Sequence, residues 1–300
     1  MDSTGSQLVR ESIDSVLVPS PARFSVLLPP GYDAAAPSPY PIIYLLHGGD
    51  GDNGFLATLR PAVESAWQQR FLPTLIVVTP DADRSFYLDY QDGSQKWETF
   101  LRNELLAHLR RTWRVSHERA ATAVVGISMG GMGALRIAFK NPDLFAAVAA
   151  LEPGIEPVLS FDDIILRDRF WRSDALLEER YGRPVDRQFW QANNPANVAQ
   201  NNASALRASN LGIYLEVGDE DSFNLHRGAE FLHRLLFDAG IKHEYRLVRG
   251  ADHLGRTLGP RFLDAFRFVG RILHPLPPDD SLAQFHRAIA ALKRNAGYQD

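Results

Sequence analysis

The sequence predicts an α/β fold in which a mostly parallel central sheet carries helices on both faces and takes a helical insertion. Three observations lead there. Short, nearly continuous apolar runs recur along the chain, as in "YPIIYLLHGG", "TLIVVTPDAD", "ATAVVGIS" and "LGIYLEVGDED". Runs of this length without alternation are the pattern of strands buried on both faces of a sheet. Segments with helical spacing lie between them, and strands alternating with helices imply parallel neighbours joined by crossovers. The chain also has 300 residues, 45% hydrophobic and 23% charged, which is enough for one large core of ordinary globular composition.

The elements follow in order. Residues 7–28 hold two alternating segments, "QLVRESIDSVLV" and "ARFSVLLP", that read as an antiparallel hairpin. The four apolar runs are followed by a more polar fifth, "HEYRLVRGADH". Helices are expected at "KWETFLRNELLAHLRRTW", "MGGMGALRIAFK" (stopped by Asn141-Pro142), "HRGAEFLHRLLFDAG" and "PRFLDAFRFVGRIL". Residues 155–208 are helix-prone without a clear strand and read as an insertion over the edge of the sheet. A C-terminal helix at about 281–294 has Leu282, Phe285, Ile289 and Leu292 on one face, which is expected to dock on the body. No linker or repeat divides the chain, so one domain over 1–300 is expected.

Several function classes fall away. A formal charge of −4 gives no electrostatic case for nucleic acid. With no cysteine there is no disulfide, thiolate zinc site or thiol nucleophile. "MDSTGSQLVRESIDS" has no basic stretch leading into an apolar one, and no window approaches a membrane span. The expectation is a cytoplasmic protein without a membrane span, with no cofactor and with a small molecule as its partner; the oligomeric state is open.

"ATAVVGISMGGMGALRIAF" reads as strand, tight turn and helix, with Ser128 at the apex of Gly126-Ile127-Ser128-Met129-Gly130. A serine on such a strained turn stands above the sheet, and side chains two residues before and after it would collide with neighbouring backbone. Gly126 and Gly130 answer that demand. The Met129 N–H, at a helix N-terminus, is then a ready donor to an oxyanion. Gly131 and Gly133 would let the helix lie close to adjacent strands. Neither phosphate-loop pattern is matched here.

A serine hydroxyl needs a base, and behind a turn of this type the acid and then the histidine follow the serine in chain order. Of the later histidines, His226, His233 and His286 fall in expected helices, His243 begins a strand and His274 follows a helix. His253 alone sits in a loop directly after a strand. The acid comes from "YLEVGDEDSF", where Asp221 is the choice and Asp219 the second candidate. A second oxyanion donor should come from "LLHGGDGDNGF": the Gly49 N–H, with Asp50 the alternative and His47 shaping the loop. Asp50, Asp52 and Asn53 lack the downstream Glu of a calcium loop, so no metal is expected.

With these residues placed, the chain resembles the Putative esterase family of α/β-hydrolases, which takes in esterase D (S-formylglutathione hydrolase), feruloyl esterases, siderophore esterases and mycolyltransferases. The resemblance runs from about Arg23 to Leu273 and is carried by "LLPPGYD", "YLLHGGDGDNGF", "SFYLDYQDGSQKWETFL", "VVGISMGGMGAL", "VGDEDSF" and "GADH". It implies an α/β-hydrolase fold, a serine carboxylic-ester hydrolase, and an active-site loop from Ser85 to Tyr90. Tyr87 and Tyr90 on that loop, with Trp171 and Trp190 in the insertion, are candidate substrate-binding residues. Two departures stand out: no leader is seen, as a mycolyltransferase would need, and the turn reads "GISMGGMG" where formylglutathione enzymes have "GHSMGGHG". Acyl transfer by the same residues and a non-catalytic binding protein on the same scaffold are the rival readings.

Overall fold

A computed structural model describes residues 5–298. Within these residues, eight strands form one sheet: β1 (Gln7–Ile13), β2 (Ala22–Leu28), β3 (Ile42–Leu46), β4 (Ile76–Pro80), β5 (Thr122–Ile127), β6 (Ala147–Leu151), β7 (Gly212–Gly218) and β8 (Glu244–Val248). Their spatial order is β1-β2-β4-β3-β5-β6-β7-β8. β1 and β2 make the expected antiparallel hairpin, and β2 also runs antiparallel to β4. From β4 to β8 every pairing is parallel.

Among the described residues, twelve α-helices accompany this sheet: α1 (Phe55–Gln68), α2 (Trp97–Phe100), α3 (Leu106–Thr112), α4 (Met129–Lys140), α5 (Leu166–Arg169), α6 (Asp174–Tyr181), α7 (Arg187–Asn193), α8 (Pro195–Asn201), α9 (Ala203–Ser209), α10 (Leu225–Asp238), α11 (Leu258–Leu273) and α12 (Asp280–Asn295). Strand side chains alternate between two apolar layers, as the pleat requires. Ile42, Tyr44, Leu46 and Val124 face the layer of α3, α4, α8 and α10. Ile43, Leu45 and Val125 face α1 and α11.

Two elements were not anticipated from the sequence, and one expectation needs correction. β6 escaped the strand reading because "AAVAAL" is mostly alanine, a strong helix former and a weak strand former. It is a strand because it lies between β5 and β7 with α4 and α11 pressed on its two faces, where small side chains fit. α1 was also missed, since Pro61 inside it removes a helical donor. The burial of Leu56, Leu59, Val63 and Ala66 on one face holds the helix regardless. Finally, α12 buries none of its residues, and Leu282, Phe285 and Leu292 are exposed, so its apolar face does not dock on the body as expected.

The stretch expected as one helix from Lys96 to Trp113 is α2 and α3 joined by a π-helical turn at Leu101–Leu105. The helix-prone segment after β6 becomes α5 to α9, with α8 against α4 and α10. Among the described residues, no helix is long and apolar enough to cross a membrane.

These burial differences predict contrasting stabilities. Phe266→Ala, in the α11 layer with no exposed surface, costs about 3–5 kcal/mol in urea denaturation. Phe285→Ala on α12 changes stability by less than about 0.5 kcal/mol.

Candidate active site

The C-terminal ends of the parallel strands are where an open α/β sheet presents its crevice, and the candidate residues gather there. Ser128 joins β5 to α4 with φ 55° and ψ −117°, a conformation that L-residues adopt only under constraint. A methyl on Gly126 would stand 2.2 Å from the Gly130 carbonyl oxygen, and one on Gly130 would stand 2.2 Å from that of Leu46. The two glycines therefore meet the steric demand read from the sequence. Gly131 does lie against β6, its added methyl falling 2.9 Å from the Leu151 oxygen. Gly133 instead accommodates the ring of Tyr87, not a strand.

Ser128 is held on three sides. Its N–H donates to the Leu151 oxygen at 2.9 Å, and its carbonyl accepts from Met132 and Gly154 at 3.0 and 3.1 Å. Met129 is the first residue of α4, so its N–H has no preceding helical turn to bond to. After β3 the chain passes beside the serine: a methyl on Gly48 would lie 3.6 Å from Ser128 Cβ. His47 shapes this loop as expected. Burial holds its pKa below the ordinary value, and its neutral ring accepts from Ala82 N–H at 3.1 Å and donates to the Gly48 oxygen at 2.7 Å.

Asp221 and His253 meet across the loops after β7 and β8, with His253 Nδ1 2.7 Å from Asp221 Oδ2. The other oxygen, Oδ1, accepts from Phe223 and Leu225 N–H, both at 2.9 Å. Burial pushes the Asp221 carboxyl up, but the hydrogen bonds it accepts from His253 and from the Leu225 N–H help to outweigh it and leave it below the ordinary aspartate value. Asp219 is used differently: Oδ1 caps the Gly250 N–H at 2.6 Å. Asp252 ties the same two loops by accepting from the N–H and hydroxyl of Ser222, both at 2.7 Å. Of the two acids weighed from sequence, Asp221 is the one brought to His253.

A cavity of about 310 Å³ opens beside these groups, lined by Gly48, Gly49, Ser128, Met129 and His253. Phe55, Phe86, Trp171 and Phe223 make its walls aromatic, and Arg84 supplies a cation. The Phe223 ring centre lies 4.5 Å from that of His253 and is stacked on Phe170. Of the four candidate substrate-binding residues only Trp171 lines this cavity. Tyr87 is buried behind it, its hydroxyl 3.3 Å from the His47 oxygen. Tyr90 is buried beside the Arg180 guanidinium, and Trp190 packs edge-on to Phe161. These three are core residues, and the correction has a common cause: aromatic side chains mark core as often as pockets.

The lining residues that reading missed include Phe55, Arg84, Phe86 and Phe223. Phe86 and Phe223 had available signals, since Phe86 lies on the loop singled out from sequence and Phe223 is two residues past Asp221. Buried arginines hold this lining in place. Arg136 donates to the Phe86 oxygen at 2.5 Å and Arg180 to the Arg84 oxygen at 2.7 Å. Arg172 pairs with buried Glu156 and lies over the Trp171 ring at 4.1 Å.

Glu152, Asp221 and His253 are the described residues whose potential metal-ligand atoms come together, all within 4.8 Å of one another. Asp221 Oδ1 and Glu152 Oε1 already accept N–H donors there, from Phe223 and Leu225 and from Gly218 and Arg261. The donor set is that of a hydrogen-bonded chain.

Comparison with known proteins places this architecture. Residues 15–256 match the family described as Putative esterase. An esterase of Mycobacterium tuberculosis is 29% identical over 243 residues, covering 75% of this chain and 51% of that protein. A diacylglycerol acyltransferase/mycolyltransferase of Mycobacterium avium is 27% identical over 219 residues, 68% of this chain and 63% of that one. The chain thus spans about half to two thirds of the length of these curated relatives. Among solved structures, a ferulic acid esterase superimposes with a TM-score of 0.72 at 23% identity, covering 90% of this chain and 99% of that one. The S-formylglutathione hydrolase from Agrobacterium tumefaciens gives 0.70 at 22%, covering 90% and 96%. The fold is that of the α/β-hydrolases, as the sequence led us to expect.

The close approach at the serine turn is testable by stability alone. Gly126→Ala and Gly130→Ala each lower the unfolding free energy in urea by at least about 1–3 kcal/mol. Gly259→Ala, inside α11 where an added methyl meets nothing within 4 Å, does not lower the midpoint, since Ala favours the helix.

Proposed function

The chain belongs to the Putative esterase family, and from that premise we propose that it is a serine carboxylic-ester hydrolase working through Ser128, His253 and Asp221. The observation that carries this reading is the 2.7 Å contact of Asp221 with His253 Nδ1, in a cavity that His253 shares with the strained Ser128. With Nδ1–H committed to Asp221, the ring has Nε2 left as a base.

In the proposed reaction Nε2 takes the Ser128 proton as Oγ attacks the ester carbonyl. The N–H groups of Met129 and Gly49 stabilise the oxyanion of the tetrahedral intermediate, where one such donor is worth about 3–4 kcal/mol of barrier. The intermediate collapses, the C–O bond to the alcohol breaks, and His253 returns its proton to the departing oxygen. Water then attacks the acyl-enzyme, giving its proton to His253, and the acid leaves as Ser128 is regenerated. The substrate is a small ester whose apolar part lies against Phe55, Phe86, Trp171 and Phe223.

One observation favours a second reading. The similarity to a diacylglycerol acyltransferase/mycolyltransferase supports acyl transfer by the same residues, with an alcohol replacing water in the second step. Turnover of an aryl ester with a competing alcohol separates the two: a new ester as main product supports transfer, and free acid supports hydrolysis.

Ser128→Ala abolishes p-nitrophenyl acetate hydrolysis while its circular dichroism stays that of the wild type; retained turnover removes the nucleophile. Asp221→Asn lowers kcat by about 10⁴-fold, as the comparable change does in another serine triad. Asp219→Asn, exposed and bonded only to its neighbouring loop, changes it by less than about tenfold. The reverse order moves the acid to Asp219.

A further inference from the structure

The loop after β6 places a carboxyl that the mechanism above does not use. Glu152 has no exposed surface, and its backbone is held at φ 45°. Its N–H donates to the Glu216 oxygen on β7 at 2.8 Å. Its Oε1 accepts from the Gly218 N–H at 2.9 Å and from Arg261 on α11. Arg261 Nε also donates to buried Glu216 at 2.6 Å, and Nη1 to the Asp252 oxygen at 3.1 Å. Two buried carboxyls, Glu152 and Glu216, therefore share one buried guanidinium, and the buried carboxyl of Asp221 lies beside Glu152. With all three carboxyls ionised and His253 neutral, this group would leave two net negative charges in a low-dielectric interior, and one bound proton halves that charge.

The donors show which carboxyl has room for that proton. Asp221 accepts three N–H groups, from Phe223, Leu225 and His253. Glu216 accepts Arg261 on one oxygen and the Tyr214 hydroxyl on the other. Glu152 Oε2 is buried without a donor, and Glu152 and Asp221 present carboxylate oxygens within 4.8 Å of each other. Two acceptors make a hydrogen bond only when one carries a proton.

We propose that Glu152 is a protonated fourth member of the Asp221–His253 chain, donating from Oε2 to Asp221 and positioning that acid for His253. This rests on the triad reading above and extends it. Burial holds the Glu152 carboxyl up at about 8, with Asp221 adding to the rise and Arg261 opposing it. The other charged groups around the cluster are already engaged: Arg246 with Glu244 and Asp264, and the Asp252 carboxylate with Ser222. As pH rises through about 8, Glu152 loses its proton. The contact with Asp221 then changes from donor–acceptor to like charges, so the ordering of His253 weakens on the alkaline side.

Infrared difference spectroscopy on the full chain, compared with Glu152→Gln, reads this proton directly. The wild type is expected to show a carboxylic-acid C=O band at neutral pH that disappears at alkaline pH and is missing from E152Q at both. Its absence from the wild type at neutral pH overturns the proposal without any variant having to fold, and so does a band unchanged in E152Q. This readout does not depend on Ser128, so it fails separately from the esterase reading. In the paired rate measurement, wild-type kcat/KM falls at least about threefold from neutral pH to about pH 9, while E152Q, whose amide donates at any pH, stays level. A uniform loss in E152Q with the same pH profile makes Glu152 merely structural and also overturns the proposal.

Discussion

The architecture of the site depends on one close approach of backbone to backbone, where β5 turns into α4 against the end of β3. Gly126 and Gly130 leave no room for a methyl group there. That contact sets Ser128 into its strained conformation and at the same time brings the chain after β3 alongside it. The strain is offset by bonds on either side of the serine, to Leu151 on β6 and from Met132 and Gly154. The turn thus draws the ends of β3, β5 and β6 into one rigid unit. The loops after β7 and β8 close on it through Asp221 and His253.

Around this unit the protein spends buried arginines rather than apolar side chains. Arg136, Arg172, Arg180 and Arg261 are all nearly or fully buried, and each bonds a carboxylate or a loop carbonyl close to the cavity. A buried ion pair adds little net stability compared with apolar packing of similar volume. What these guanidiniums supply is direction: a planar fork of donors fixes the loop carbonyls it meets. Arg136 is the plainest case, because it sits on α4, the helix that follows Ser128 directly, and grips the loop that presents Phe86. The serine and one wall of the cavity are thereby held by the same helix.

Much of this was legible in the sequence, and the failures have physical causes. Parallel strands announce themselves when valine, leucine and isoleucine fill both faces, as in β3, β4 and β5. β6 is silent because its place between two close helices selects alanine. α1 is masked by Pro61, whose local cost is outweighed by a tertiary face that no local window contains. Ser128, Asp221 and His253 could be chosen because the roles proposed for them demand a position, at the end of a strand, that the pattern reveals. Tyr87, Tyr90 and Trp190 could not be told from pocket residues, because burial of an aromatic ring looks the same from sequence whatever it faces. Glu152 was invisible for a different reason. An acid after a strand is ordinary until the fold surrounds it with Glu216, Asp221 and a single arginine.

The central claim is that the turn exists to expose one reactive hydroxyl. The most direct measurement is covalent labelling with an organophosphate ester, followed by mass spectrometry of the intact protein and of its peptides. The account predicts one phosphoryl adduct per chain, carried by Ser128, formed in step with loss of ester hydrolysis and absent when Asp221 is replaced by Asn under the same conditions. An unlabelled protein that still hydrolyses esters, or an adduct on a residue outside the turn, would contradict it.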